Sequence, residues 1–105
     1  MEEGKLFDQY VELPDGYQVQ LMVLMEIPTK RPRVAVYRSR VWIGHESDPD
    51  PMLYKSEEHE ELRRSIDACF SLLLKSAPMV IGSPTALEAV QQQVHIYFTG
   101  AVPQV

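Results

Sequence analysis

The residues able to do chemistry lie in a few separate places along the chain. His45, Glu46, Asp48 and Asp50, joined by His59 further on, are of metal-ligand type. Their spacing lacks the central glycine and closing glutamate of a calcium loop, and no Cys or His pair stands at zinc spacing, so no metal is expected. Cys69 is the one cysteine. It falls on an apolar stripe of helical spacing, where a thiol acts as a small hydrophobe and nothing electropositive activates it. Carboxylates such as Asp8 and Glu12 follow no spacing that marks an acid and base pair, so no catalytic residue is assigned. Gly4, Gly16, Gly44, Gly82 and Gly100 are dispersed, which gives no phosphate loop and no expected cofactor.

Charge is the more informative signal. Lys30, Arg31, Arg33, Arg38 and Arg40 make up five of the ten basic residues, and no acid lies between Glu26 and Glu46. The next segment, Glu46 to Glu61, holds seven acids against one lysine. A net charge of -5 speaks against a general nucleic-acid binder, because phosphate neutralisation calls for a basic balance. Hydrophobic content of 45% with 24% charged residues is that of a folded globular chain, and 105 residues suit one domain, 1–105. The acidic start, the single cysteine and the lack of an apolar run of about 18 residues lead to an expected cytoplasmic location without a membrane partner.

The elements that position these residues follow from periodicity. Segments 5–13 and 17–27 flank Pro14-Asp15-Gly16, a hairpin signal in which glycine takes a left-handed position. This loop pairs Leu13 with Tyr17, and so Val11 with Val19, Gln9 with Leu21 and Phe7 with Val23. Tyr17, Val19, Leu21, Val23, Met25 and Ile27 alternate as the core side of the second strand. A third strand is expected over 33–43, with Ile27 opposite Arg33 and Leu21 opposite Ser39. After a loop from Gly44 to Tyr54, a helix is expected from Ser56, as N-cap, to Ser76, carrying Leu62, Ile66, Cys69, Phe70 and Leu73 inward and pairing Glu60 with Arg64. Ser83-Pro84 opens a second helix over 84–99, closed by Gly100; a competing reading makes 94–98 a fourth, C-terminal strand. The expected fold is α+β: a three-stranded antiparallel meander with one or two helices on one face, a two-layer sandwich.

That arrangement leaves the other sheet face without evident cover. Leu6, Tyr10, Met22, Leu24, Val34, Val36, Arg38, Arg40 and Trp42 fall there by alternation, and such aliphatic, aromatic and guanidinium groups are enriched at interface centres. Leu24 and Val36 are expected side by side and exposed in a single chain. The reading is a non-catalytic protein–protein interaction module of adaptor or inhibitor type, a homodimer or the partner of another protein. Its main alternative is single-stranded nucleic acid stacked on Tyr10 and Trp42 and held by Arg38 and Arg40, against which Asp8, Glu12 and Glu26 count. A small enzyme is the remaining alternative. An internal cover of the face by the C-terminal segment, or by the fourth strand, would remove the surface altogether.

Overall fold

The computed structural model describes residues 2–31 and 33–100, with the side chains of Glu2 and Glu3 left aside. Four strands, β1 (Glu2–Glu12), β2 (Tyr17–Ile27), β3 (Val36–His45) and β4 (Asp48–His59), form one antiparallel sheet in the order β1-β2-β3-β4. Two helices follow, α1 (Leu62–Val80) and α2 (Pro84–Thr99), packed on one face of that sheet. The α+β sandwich is therefore the architecture. Its fourth strand lies at 48–59, while 94–98 belong to α2.

The first hairpin pairs as its turn dictates: Val11 opposes Val19, Gln9 opposes Leu21 and Phe7 opposes Val23. Asp15 at φ 63° and Gly16 at φ 81° both adopt left-handed backbone, and a Cβ on Gly16 would lie 2.7 Å from the Glu46 side chain. Beyond Phe7 a bulge makes Leu6 an extra residue, so Lys5 opposes Leu24. On the other side of β2 the register differs from expectation by two residues, with Leu21 opposite Val41 and Val19 opposite Ile43. Strand β3 begins at Val36, so the connection from Ile27 is longer than a turn at Pro28–Pro32 would need. A slip of two leaves every side chain on its expected face, which is why patterning alone does not detect it.

β4 corrects two expectations, the loop over 44–54 and the helix start at Ser56. Tyr54 opposes Val41 and Leu53 opposes Trp42, continuing the ladder to His59, opposite Tyr37. Prolines at 49 and 51 fit here because β4 is an edge strand with one side free of ladder bonds, and its charges discourage pairing with other chains. Ser56 is no cap; its hydroxyl donates to the Glu57 carbonyl. Glu60 precedes α1, and Arg64 pairs with Glu61 at 3.4 Å instead. α2 has its expected ends: the Ser83 hydroxyl accepts from the Ala86 N–H at 3.2 Å, Pro84 occupies the first turn, and Gly100 is left-handed at φ 67°.

The core lies between the sheet and the helices. Val19, Leu21, Val23, Val41 and Ile43 meet Cys69, Phe70, Leu73 and Ala77 of α1, with Ala86, Val90 and Val94 of α2 completing it. Small residues let α1 come close to the strands. The Ser39 hydroxyl donates to the Ser65 carbonyl at 2.5 Å, and the Cys69 thiol donates to the Met22 carbonyl at 3.3 Å. Burial, the largest cause, pushes the Cys69 thiol up, so the thiolate is suppressed. Thiol reagents are expected to modify Cys69 slowly in the folded protein and rapidly after denaturation. Cys69→Ser is expected to cost about 1–3 kcal/mol in a chemical denaturation curve, because the packed site offers a hydroxyl poor geometry; fast labelling of the native chain would contradict this.

Candidate interaction face

The register assembles the face opposite the helices row by row. Tyr10, Gln20, Trp42 and Leu53 form one row across the four strands, and Asp8, Met22, Arg40 and Lys55 the next. Lys5, Leu24, Arg38 and Glu58 follow, and Glu26 stands opposite Val36 at the far end. Two hydrogen bonds place the β1 and β2 members on the same side: Asp8 accepts from Gln20 at 2.9 Å and from Lys5 at 3.0 Å. These bonds, that of Gln20 first, hold the Asp8 carboxyl below the ordinary range, so it stays ionised.

The two ends of the face differ. At one end Tyr10 is 57% exposed, Trp42 is half-buried and Leu53 is 39% exposed. A hollow of about 240 Å³ opens here between Tyr10, Gln18, Gln20, Trp42 and Pro51, with Gly44 beside them. A Cβ on Gly44 would sit 3.4 Å from the Pro51 ring and 3.7 Å from the Gln18 amide, so the glycine keeps the floor low. At the other end the expectation that Leu24 and Val36 both stand exposed is corrected. Leu24 is only 6% exposed although it lies outside the main core, and Val36 is half-buried. Arg38, directly opposite Leu24, reaches back to Glu26 at 2.9 Å and also binds Glu58, laying its stem over this end. The hydrogen bond to buried Glu26 is the main reason the Arg38 guanidinium holds its proton even more firmly than usual.

The basic run therefore splits. Arg38 is neutralised by two glutamates, while Lys30, Arg31 and Arg33 lie exposed in the connection before β3, and Val34 is exposed beside them. Arg40 remains on the face, directly opposite Lys55. Among the described residues neither of these two cations meets an acid. Like charges across a strand pair repel, so the pair favours an outside anion. Leu53, Lys55 and Pro51 are absent from the face that the sequence predicts, because Gly44 to Tyr54 carries the proline and acid signals of a loop and Lys55 stands between that loop and the expected helix. The alternation of Met52, Tyr54 and Ser56 against Leu53 and Lys55 was the signal that could have found them.

His45 and Glu46 hold turns together, and His59 lies apart from them. The Ser47 backbone N–H donates to His45 Nδ1 at 3.1 Å, so Nε2 carries the proton and donates to the Asp15 carbonyl at 2.8 Å. Ser47 Oγ lies 2.7 Å from the same Nδ1, and the imidazole meets Tyr17 edge-on at 4.6 Å. His45 thus clasps the β3–β4 turn to the β1–β2 turn. Glu46, whose N–H bonds to the Gly16 carbonyl at 2.9 Å, strengthens the same clasp. A neighbouring hollow of about 310 Å³ is lined by Tyr17, His45, Ser47, Asp48, Asp50 and Met52 among others. His59 is at the opposite end of β4, and no group of three or more His, Cys, Asp and Glu gathers as a metal site among the described residues.

No helix among the described residues is long and apolar enough to cross a membrane. Comparison of the chain with protein-family models, with curated proteins and with solved structures gives no significant match to any of them.

Proposed function

We propose that this chain is a non-catalytic protein–protein interaction module that self-associates through the open face of its sheet. The observation that carries the reading is the unequal cover of the two faces. Both helices pack on one side, while the other presents Tyr10 and Leu53 exposed and Met22 and Trp42 half-buried; Leu6, the extra residue of the β1 bulge, is exposed beside them in sequence but has no row on this face. Aromatic and aliphatic groups of this kind on a two-layer protein gain most by meeting a second surface. Of the two internal covers, the strand at 94–98 belongs to α2, and residues 101–105 of the C-terminal segment lie outside the described residues.

A second reading has one observation in its favour: unpaired Arg40 and Lys55 lie one row from Tyr10 and Trp42, a combination that suits single-stranded nucleic acid. Asp8, Glu26 and Glu58 on the same face oppose it, and Arg38 has no charge to spare. Sedimentation equilibrium separates the two. The chain is expected to dimerise, and Leu53→Asp to weaken the dimer by about tenfold or more with its circular dichroism unchanged, since Leu53 lies outside the core. A monomer that binds single-stranded oligonucleotides tightly, with an affinity falling steeply with salt, would replace this reading by the second.

A further inference from the structure

We infer that the end of the open face around Tyr10 and Trp42 binds an acidic, proline-containing segment of a partner protein. The segment lies extended along the strands, with a proline in the hollow and a carboxylate over Arg40 and Lys55. This partner chemistry rests on the reading above of the face as a protein-interaction surface. The hollow of about 240 Å³ is walled by the rings of Tyr10, Trp42 and Pro51, with the Gln18 and Gln20 amides beside them and no charged group in its lining. Gly44 keeps its floor open. Such a hollow suits an uncharged, compact apolar ring.

Its hydrogen-bonding groups narrow the choice. Gln20 is engaged with Asp8, but the Trp42 indole N–H, the Tyr10 hydroxyl and the Gln18 amide have no hydrogen-bond partner among the described residues. An indole can only donate. Proline offers a carbonyl and no N–H, and a polyproline II segment leaves its carbonyls unpaired, so donors around a ring-lined hollow match it. A segment that is already extended also loses little entropy on docking.

Charge sets the direction of the segment. On one side of the hollow the next row holds Arg40 opposite Lys55, and neither meets an acid among the described residues. On the other side exposed Glu12 stands opposite Gln18, while Asp8, the acid of the cation row, is already bound by Lys5 and Gln20. Successive residues on one face of a strand lie about 7 Å apart. Residues two or three apart in a polyproline II segment lie about 6–9 Å apart, so a carboxylate at that distance from the seated proline reaches Arg40 and Lys55. Single-stranded nucleic acid fits less well, because it carries a phosphate at every nucleotide and brings one to Glu12 as well.

Trp42 is the only tryptophan of the chain, so its emission reports directly on the hollow. The full chain, at concentrations where sedimentation finds the monomer, is titrated with blocked peptides of proline-proline-glutamate or proline-proline-lysine repeats and with oligothymidine. The glutamate peptide is expected to shift the Trp42 emission saturably and to bind about tenfold or more tightly than the lysine peptide. Arg40→Glu is expected to weaken the glutamate peptide by about tenfold or more and to strengthen the lysine peptide, a reversal that loss of structure does not produce. Lys55→Glu, at an exposed position of the edge strand, repeats the test should Arg40→Glu fold poorly. No response to the glutamate peptide, an equal response to the lysine peptide, variants that bind like the parent, or a response to oligothymidine alone overturns the inference. Sedimentation equilibrium without peptide reads the self-association separately. A monomer that binds the glutamate peptide keeps this inference and loses the self-association; a dimer whose monomer ignores the peptide does the reverse.

Discussion

Leu24→Glu is expected to lower the stability of the chain by about 3–5 kcal/mol, with loss of fold and not mere dissociation of a dimer. Leu24 belongs by alternation to the face without helices, where a glutamate would ordinarily meet water. It is nevertheless 6% exposed in the single chain. Removing a buried leucine forfeits about 1.5–3 kcal/mol of apolar burial, and the new carboxylate adds a desolvation cost. The two cations directly opposite it are already engaged, Arg38 with Glu26 and Glu58 and Lys5 with Asp8. Glu26, two residues further along the same face, adds repulsion. The urea midpoint followed by circular dichroism measures the loss, with Leu24→Met as the control that keeps volume and costs less than about 1.5 kcal/mol. A Leu24→Glu chain as stable as the parent would mean that Leu24 can move out to solvent at little cost.

The contrast between Leu24 and Leu53 marks what was legible in the sequence. Alternation along β2 identified the inward residues and the open face, and Pro14-Asp15-Gly16 fixed the first register because a tight turn leaves the pairing little choice. The second register was not fixed in this way, since the connection from Ile27 to Val36 has no tight turn to count from and a two-residue slip preserves every face. β4 was hidden by its own edge position. The prolines and acids that suit an unpaired edge are the same residues that signal loops and helix N-termini. Without β4, Leu53 and Lys55 have no place on the face that alternation predicts, and Arg40 lacks the charge opposite it. The burial of Leu24 was illegible for another reason. Its cross-strand neighbour Arg38 is held by Glu26 and Glu58 in ion pairs that join three strands, which alternation along one strand does not encode.

On the helix side, Phe70→Ala is expected to cost about 3–5 kcal/mol. Phe70 is 3% exposed and joins three elements: its ring stacks on Tyr97 of α2 at 3.9 Å and 5°, and meets Phe7 of β1 at 6.3 Å. Phe70 stands on α1 between Tyr97 of α2 and Phe7 of β1, so a cavity there loosens the seat of α2 as well as removing contacts. Tyr97 gives an independent readout. Burial, then donation of its hydroxyl to Asp67 at 2.7 Å and the charge of that carboxylate, push its phenol up to about 12, with Arg63 acting the other way. A phenol that holds its proton more tightly in the folded state stabilises the fold fully below its unfolded value of about 10. That contribution is lost as pH rises from about 10 through the folded value of about 12. Opening the cavity at Phe70 admits water to the ring, so the burial cause weakens and Tyr97 should titrate closer to 10. Phenolate absorbance, with Tyr97→Phe subtracted to isolate this residue, follows the shift in chains still folded at low denaturant-free temperature. In the Phe70→Ala chain the decline of stability with alkaline pH should be correspondingly smaller. A Tyr97 titration unchanged by Phe70→Ala would place the cause of its shift in Asp67 alone, and the stacked pair would then contribute packing without screening the phenol from water.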